Sequence, residues 1–224
     1  MTTANVSASD RRAAADSELV AEVKTLLASG KQVAAGERFA ELIDRHQRRA
    51  ARIAYYYLRD PAEVDEAVQD AFVKAFTHLP SFRERLFFEL WFTRILMNGC
   101  YDRLKARSRR LRWMVPVDES EADQQDWIAR QPATGLSPEA ELLEAERRTE
   151  LLAAVDRLPE RQRAVVVLSQ FEGHATRDVA EMLNLSEATV RVHLFRAIRT
   201  LRRHLAGATW LAQPPTRSAG EAKV

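Results

Sequence analysis

Apolar residues recur every three or four positions through nearly all of this 224-residue chain, while glycine and proline, seven and eight in number, interrupt the rhythm at only a few points. Helical faces of this kind bury themselves against other helices, so the spacing predicts an all-α fold. Hydrophobic residues make up 46% of the chain, enough to build a core and to exclude disorder throughout.

The helical pattern falls into two groups. Leu19, Val20, Val23, Leu26 and Leu27 mark a short amphipathic helix ending near Gly30, and the residues up to about position 17 are expected to be loose. Phe39 through Tyr57 predicts a helix that stops around Arg59-Asp60-Pro61, because proline disfavours helix in the residue before it. Val64, Ala67, Val68, Ala71, Phe72, Ala75, Phe76 and Leu79 form the apolar stripe of the next helix. Another runs from about Phe88 past Trp91, Ile95 and Leu104 into an arginine-rich end. These patterns give an N-terminal extension over residues 1–36 and a small helical domain over 37–113. Pro116, Pro132, Gly135 and Pro138 in an acidic context predict a flexible linker over 114–138. Helix resumes at Glu139 to build a second small domain over 139–206, Val165-Val166-Val167-Leu168 included, and a loose tail follows over 207–224.

Net charge is only +2, which argues for nothing, but its distribution does. Arg83 to Arg112 carries nine basic residues against three acidic, and Glu187 to His204 carries five arginines against one glutamate. Between them, Pro116 to Glu146 holds nine acids and only Arg130. Two basic blocks on helix-like segments, flanking an acidic bridge, point to a polyanionic partner.

The most specific pattern lies inside the second basic block and just before it. Thr176 and Ser186 have the side chains of helix N-caps, Asn184 tolerates a left-handed turn, and Ala180 is small where two helices would cross. Val179, Leu183, Leu185 and Val190 would bury the angle, which is helix-turn-helix spacing. With Val190, Leu194, Ala197, Ile198 and Leu201 facing the core, the second helix presents Arg191, Val192, Phe195, Arg196 and Arg199 outward. Apolar side chains among arginines suit a major groove, where a thymine methyl and a guanine edge lie side by side. Read from spacing alone, a plain helical hairpin with Phe195 packed on a neighbour stays open.

Leu158-Pro159-Glu160-Arg161-Gln162-Arg163-Ala164 with its valine run, then Glu172-Gly173 and the Thr176 to Ala197 pattern, resembles region four of the extracytoplasmic-function (ECF) sigma factors of bacterial RNA polymerase. Asp60-Pro61-Ala62-Glu63-Val64 through Phe76 resembles the polymerase-binding helix of region two, and Phe82-Arg83 through Trp91 to Asn98, with Asp102-Arg103, resembles its promoter-melting part. The resemblance covers roughly residues 37–205 and implies an alternative sigma factor that joins core RNA polymerase, through its β′ and β subunits, and reads promoter DNA, in a stress or envelope response. It implies polymerase contacts at Asp65, Glu66, Gln69 and Asp70. It implies minus-ten contacts at Arg83, Phe87, Phe88, Asn98, Arg103, Arg107, Arg109 and Arg110, and minus-thirty-five contacts on the outward face already named. An anti-sigma partner is a further implication. Glu84-Arg85-Leu86-Phe87-Phe88 is bulkier and more apolar than the loop that the family uses to capture an extruded base.

Other classes fit less well. No Gly-rich phosphate loop, nucleophile elbow or metal-spaced histidine pair occurs, so no catalytic residue, metal or cofactor is expected. One cysteine forms no internal disulfide, and neither a secretory leader nor an apolar run of membrane-spanning length is evident, so a cytoplasmic chain without membrane insertion is expected. A conventional helix-turn-helix regulator would account for Thr176 to Arg199 but leave the Asp60 to Phe76 and Phe82 to Arg112 patterns unused.

Overall fold

A computed structural model describes residues 8–83, 87–113 and 138–207. The expected linker through residue 137, the tail from 208 and the segment Glu84, Arg85 and Leu86 lie outside the described residues. Eight α-helices are found among the described residues: α1 Ala8–Ala28, α2 Gln32–Leu58, α3 Pro61–His78, α4 Phe88–Trp113, α5 Pro138–Asp156, α6 Glu160–Val166, α7 Thr176–Leu183 and α8 Glu187–His204. A 3₁₀ turn, Leu79–Ser81, closes α3, and α6 widens into a π turn over Val167–Phe171.

The first four helices form one module around an aromatic core. Phe39, Phe72, Phe88 and Phe92 meet there, Phe72 stacked on Phe92 with ring centroids 4.3 Å apart. Asp60 caps α3 by accepting from the backbone N–H of Ala62 and Glu63, with Pro61 in the first turn, where its missing N–H costs nothing. The preceding Arg59 takes a left-handed conformation at φ 64° and so ends α2.

The expectation for the N-terminus needs correcting. Helix begins at Ala8, and α1 packs along α2. The reason is a long-range pair invisible to local spacing: Asp16 is only 4% exposed, accepting from His46 Nε2 at 2.8 Å and from Arg45 at 3.0 Å.

In the second module α6 packs on α8, Val166 and Ala197 sharing a buried cluster with Leu158 from the turn before α6, and α7 crosses α8 at the helix-turn-helix. The modules also pack on each other. Val165, Val167, Leu168, Val179 and Leu183 belong to the same buried cluster as Leu42 and Leu96, and the Tyr56 and Phe171 rings lie 5.0 Å apart. Arg49, Arg52 and Arg59 of the first module reach Glu172 and Asp156 of the second.

Candidate nucleic-acid interface

The helix-turn-helix is built much as the sequence predicts. Ser186 caps α8, its hydroxyl accepting from the Thr189 N–H at 3.1 Å, and Asn184 sits left-handed at φ 53°, with Leu185 N–H returning to the Ala180 carbonyl. Thr176 departs from expectation: Ala175 is the cap residue of α7, and Thr176 is the first helical residue, beyond reach of a capping role.

On α8 the outward face is open. Arg191, Val192, Phe195, Arg196 and Arg199 are all exposed, Phe195 to 68%, while Val190 and Ala197 are fully buried opposite. An exposed phenylalanine at that level costs solvation unless a partner covers it. Arg191 is tethered to Glu187 one turn back at 2.7 Å, which directs its guanidinium along the start of the helix. Towards the C-terminal end Phe195 and Ile198 floor an open groove of about 550 Å³ rimmed by Arg199, Arg202 and Arg203. Arg202 and Arg203 are cations that the outward-face pattern leaves out, although their charge stands in the same basic block.

The first module divides its expected DNA residues. Arg83, Phe87, Asn98, Arg107, Arg109 and Arg110 are exposed, Phe87 to 53%. Phe88 is a correction: at 2% exposure it packs on Phe39, His46, Trp91 and Phe92 and has no face left for a base. Arg103 is a second. Its guanidinium crosses from α4 to α3 and donates to Glu66 at 3.0 Å and Asp70 at 2.6 Å, so it braces the acidic helix and does not project with Arg107, Arg109 and Arg110. Asp65, Glu66, Gln69 and Asp70 together form an exposed polar strip on α3. Beside it, between α3 and α4, runs a shallow depression of about 280 Å³ lined by Ala67, Ala71, Lys74, Ile95 and Gly99. Small residues there let a rounded surface approach both helices.

Burial pushes the Cys100 thiol up to about 12, so it is a packed side chain and no nucleophile. Among the described residues no group of His, Cys, Asp and Glu could hold a metal ion, and no helix is long and apolar enough to cross a membrane.

Two family descriptions match these modules. Sigma-70 region 2 matches residues 42–110, and sigma-70, region 4 matches residues 148–201. The chain is 32% identical over 177 residues to the ECF RNA polymerase sigma factor SigM of Mycobacterium tuberculosis, covering 76% of this chain and 80% of that protein. It is 25% identical to the ECF RNA polymerase sigma factor SigW of Bacillus subtilis, over 78% of this chain and 94% of the other. Among solved structures, CnrH in complex with the cytosolic domain of CnrY superposes with a TM-score of 0.60 at 25% identity, covering 87% of this chain and 99% of that one. The sigma factor RpoE bound to the anti-sigma factor NepR from Bartonella quintana shares the fold, with a TM-score of 0.58 at 21% identity over 76% of this chain and 98% of that one.

Proposed function

Because the chain belongs to the ECF sigma factors of the sigma-70 family, it is an alternative sigma factor that joins core RNA polymerase and directs initiation at selected promoters, and we propose that its two modules divide that work. The α3 strip of Asp65, Glu66, Gln69 and Asp70 docks on the polymerase β′ subunit, a polar and acidic surface suited to basic partners. Arg83 and Phe87, just before α4, and Asn98 within it take the melted minus-ten strand, where bases are held by stacking and by hydrogen bonds to their edges. Arg107, Arg109 and Arg110 hold duplex phosphates and set register. On α8, Arg191, Val192 and Phe195 read the minus-thirty-five element, and Arg196 and Arg199 secure its backbone. The observation that carries this reading is the open α8 face, apolar at its centre and cationic around it, in a chain whose other module matches region two.

The work is binding and requires no turnover by this chain. It belongs in the cytoplasm, in a stress or envelope response. Both structural neighbours are complexes, one with an anti-sigma factor by name, and we extend that kind of partner to this chain.

The closed packing of the modules is a resting state in this reading. Arg52 and Glu172 are in hydrogen-bond contact across the modules and help to hold that state. Co-purification of the tagged chain with core polymerase tests the assignment: a stoichiometric complex is expected, and a chain that binds DNA but never core enzyme would be a conventional regulator.

A further inference from the structure

Phe82 and Phe88 flank the start of the minus-ten surface, and both are linked to α1, a helix that precedes the region matched to sigma-70 region 2: Phe82 directly, Phe88 through His46 of α2. At the near side, Lys24 of α1 reaches across and its ammonium donates to the Phe82 carbonyl at 3.0 Å. Phe82 itself ends the 3₁₀ turn and is 6% exposed, its ring 4.6 Å from that of Trp91. At the far side, Asp16 of α1 accepts from His46 Nε2 at 2.8 Å, and the His46 ring rests 5.4 Å from that of Phe88. A carboxylate buried as deeply as Asp16 is destabilising unless it is paired and hydrogen-bonded, and its partners here are His46 and Arg45. The first contact holds the Phe82 carbonyl and the second packs the Phe88 ring, and each lies next to an exposed residue, Arg83 following Phe82 and Phe87 preceding Phe88.

We propose that α1 is a positioning element for minus-ten recognition: Lys24 fixes Phe82, and Asp16 through His46 fixes Phe88, so that the neighbouring Arg83 and Phe87 are each presented to the melted strand from an anchored residue. The idea rests on the reading of those two residues as strand contacts. Its physical basis is general, since a base-binding side chain gains selectivity when its backbone is already placed and loses it when placement must be achieved on binding. The helix does not touch DNA in this account; it acts through Phe82 and Phe88.

The test uses holoenzyme assembled from core polymerase and the full chain, offered a pool of single-stranded oligonucleotides randomised over six positions, with bound sequences counted. Lys24→Met keeps the aliphatic stem and removes the ammonium, Lys24→Arg keeps a donor, and Phe87→Ala reports on the strand contact itself. Lys24→Met is expected to flatten the preference at one position by about tenfold, within the range of a single stacked base. Lys24→Arg should restore it, and core binding and melting temperature should stay at wild-type values. If Phe87→Ala flattens the preference and Lys24→Met does not, the positioning role is overturned while the strand-contact reading stands. Weaker binding by Lys24→Met at all positions alike, together with a lower melting temperature, would reduce Lys24 to a packing residue and also overturn it. An unchanged preference in Phe87→Ala removes the strand-contact reading and the inference with it.

Discussion

Arg52 grips the buried carboxylate of Glu172 as a two-pronged fork across the modules, Nε donating to Oε1 at 2.8 Å and Nη2 donating to Oε2 at 2.9 Å. Arg49 adds a third charged hydrogen bond to the same carboxylate at 3.0 Å and another to the Glu172 carbonyl at 2.6 Å. Burial alone would raise the Glu172 pKa, but the two guanidiniums outweigh it and hold the carboxyl below its ordinary range. Glu172→Ala removes the carboxylate that Arg52 grips, while Arg49 keeps its contacts with Glu89 and the backbone carbonyl at position 172. We expect a loss of about 2 kcal/mol in module contact, discounted from the value for a fully buried pair because Arg52 remains well exposed. Small-angle scattering should show a larger radius of gyration for Glu172→Ala with unchanged helical content.

His174 sits in the same junction, where Arg49 Nη2 lies 3.0 Å from its Nε2. That nitrogen accepts only when the ring is neutral, and burial, with the Arg49 charge, lowers the His174 pKa from 6.5 to about 4 against the opposing pull of Glu172. The unfolded chain therefore takes up a proton between pH 6.5 and about 4 that the folded chain refuses. Stability should fall as pH falls through that window, by at most about 1.4 kcal/mol per pH unit. Glu172, whose pKa is depressed, contributes stability above its unfolded value and loses it only as pH falls further, through its folded value. Urea unfolding at a series of pH values checks this, and His174→Gln should flatten the upper part of the curve.

Phe87 and Phe88 are adjacent in sequence and opposite in role. Phe88→Ala should cost about 3–5 kcal/mol of stability as a core truncation, whereas Phe87→Ala should change stability by no more than about 0.5 kcal/mol and weaken single-strand binding. Thermal melts set against oligonucleotide affinity separate the two.

The arginines of α4 should separate in the same manner. Neutralising Arg107, Arg109 and Arg110 is expected to flatten the slope of log affinity against log salt by about one per lost phosphate contact. Arg103→Ala, by releasing Glu66 and Asp70, should leave that slope unchanged and alter core-polymerase affinity instead.

Arg191→Ala should cost about 1–3 kcal/mol on the best upstream site and relax one position of its motif, as loss of a bidentate guanine contact would. A randomised duplex selection reads this directly; an even loss across all sites would make Arg191 a backbone clamp.

Local chemistry is legible in this sequence and long-range pairing is not. The Ser186 cap, the left-handed Asn184 and the exposed Arg191 to Arg199 face follow from residue type and helical period, which act over a few positions. Phe88 escapes such a reading because, at the first turn of a helix, period alone does not decide which of two neighbouring aromatics turns inward. Asp16 and Arg103 escape it because their partners are distant in the chain, 30 positions for Asp16 with His46, and 37 and 33 for Arg103 with Glu66 and Asp70. The fork between Arg52 and Glu172 joins residues 120 positions apart, and nothing in either local sequence announces it.

Whether this chain gives core polymerase a promoter choice is read by in vitro transcription of a fragmented bacterial genome by core enzyme with and without the purified chain, with start sites mapped by sequencing. A limited set of new starts is expected, each preceded by a shared two-part motif, with the upstream part altered by Arg191→Ala. Starts no more numerous or ordered than those of core enzyme alone would contradict that choice.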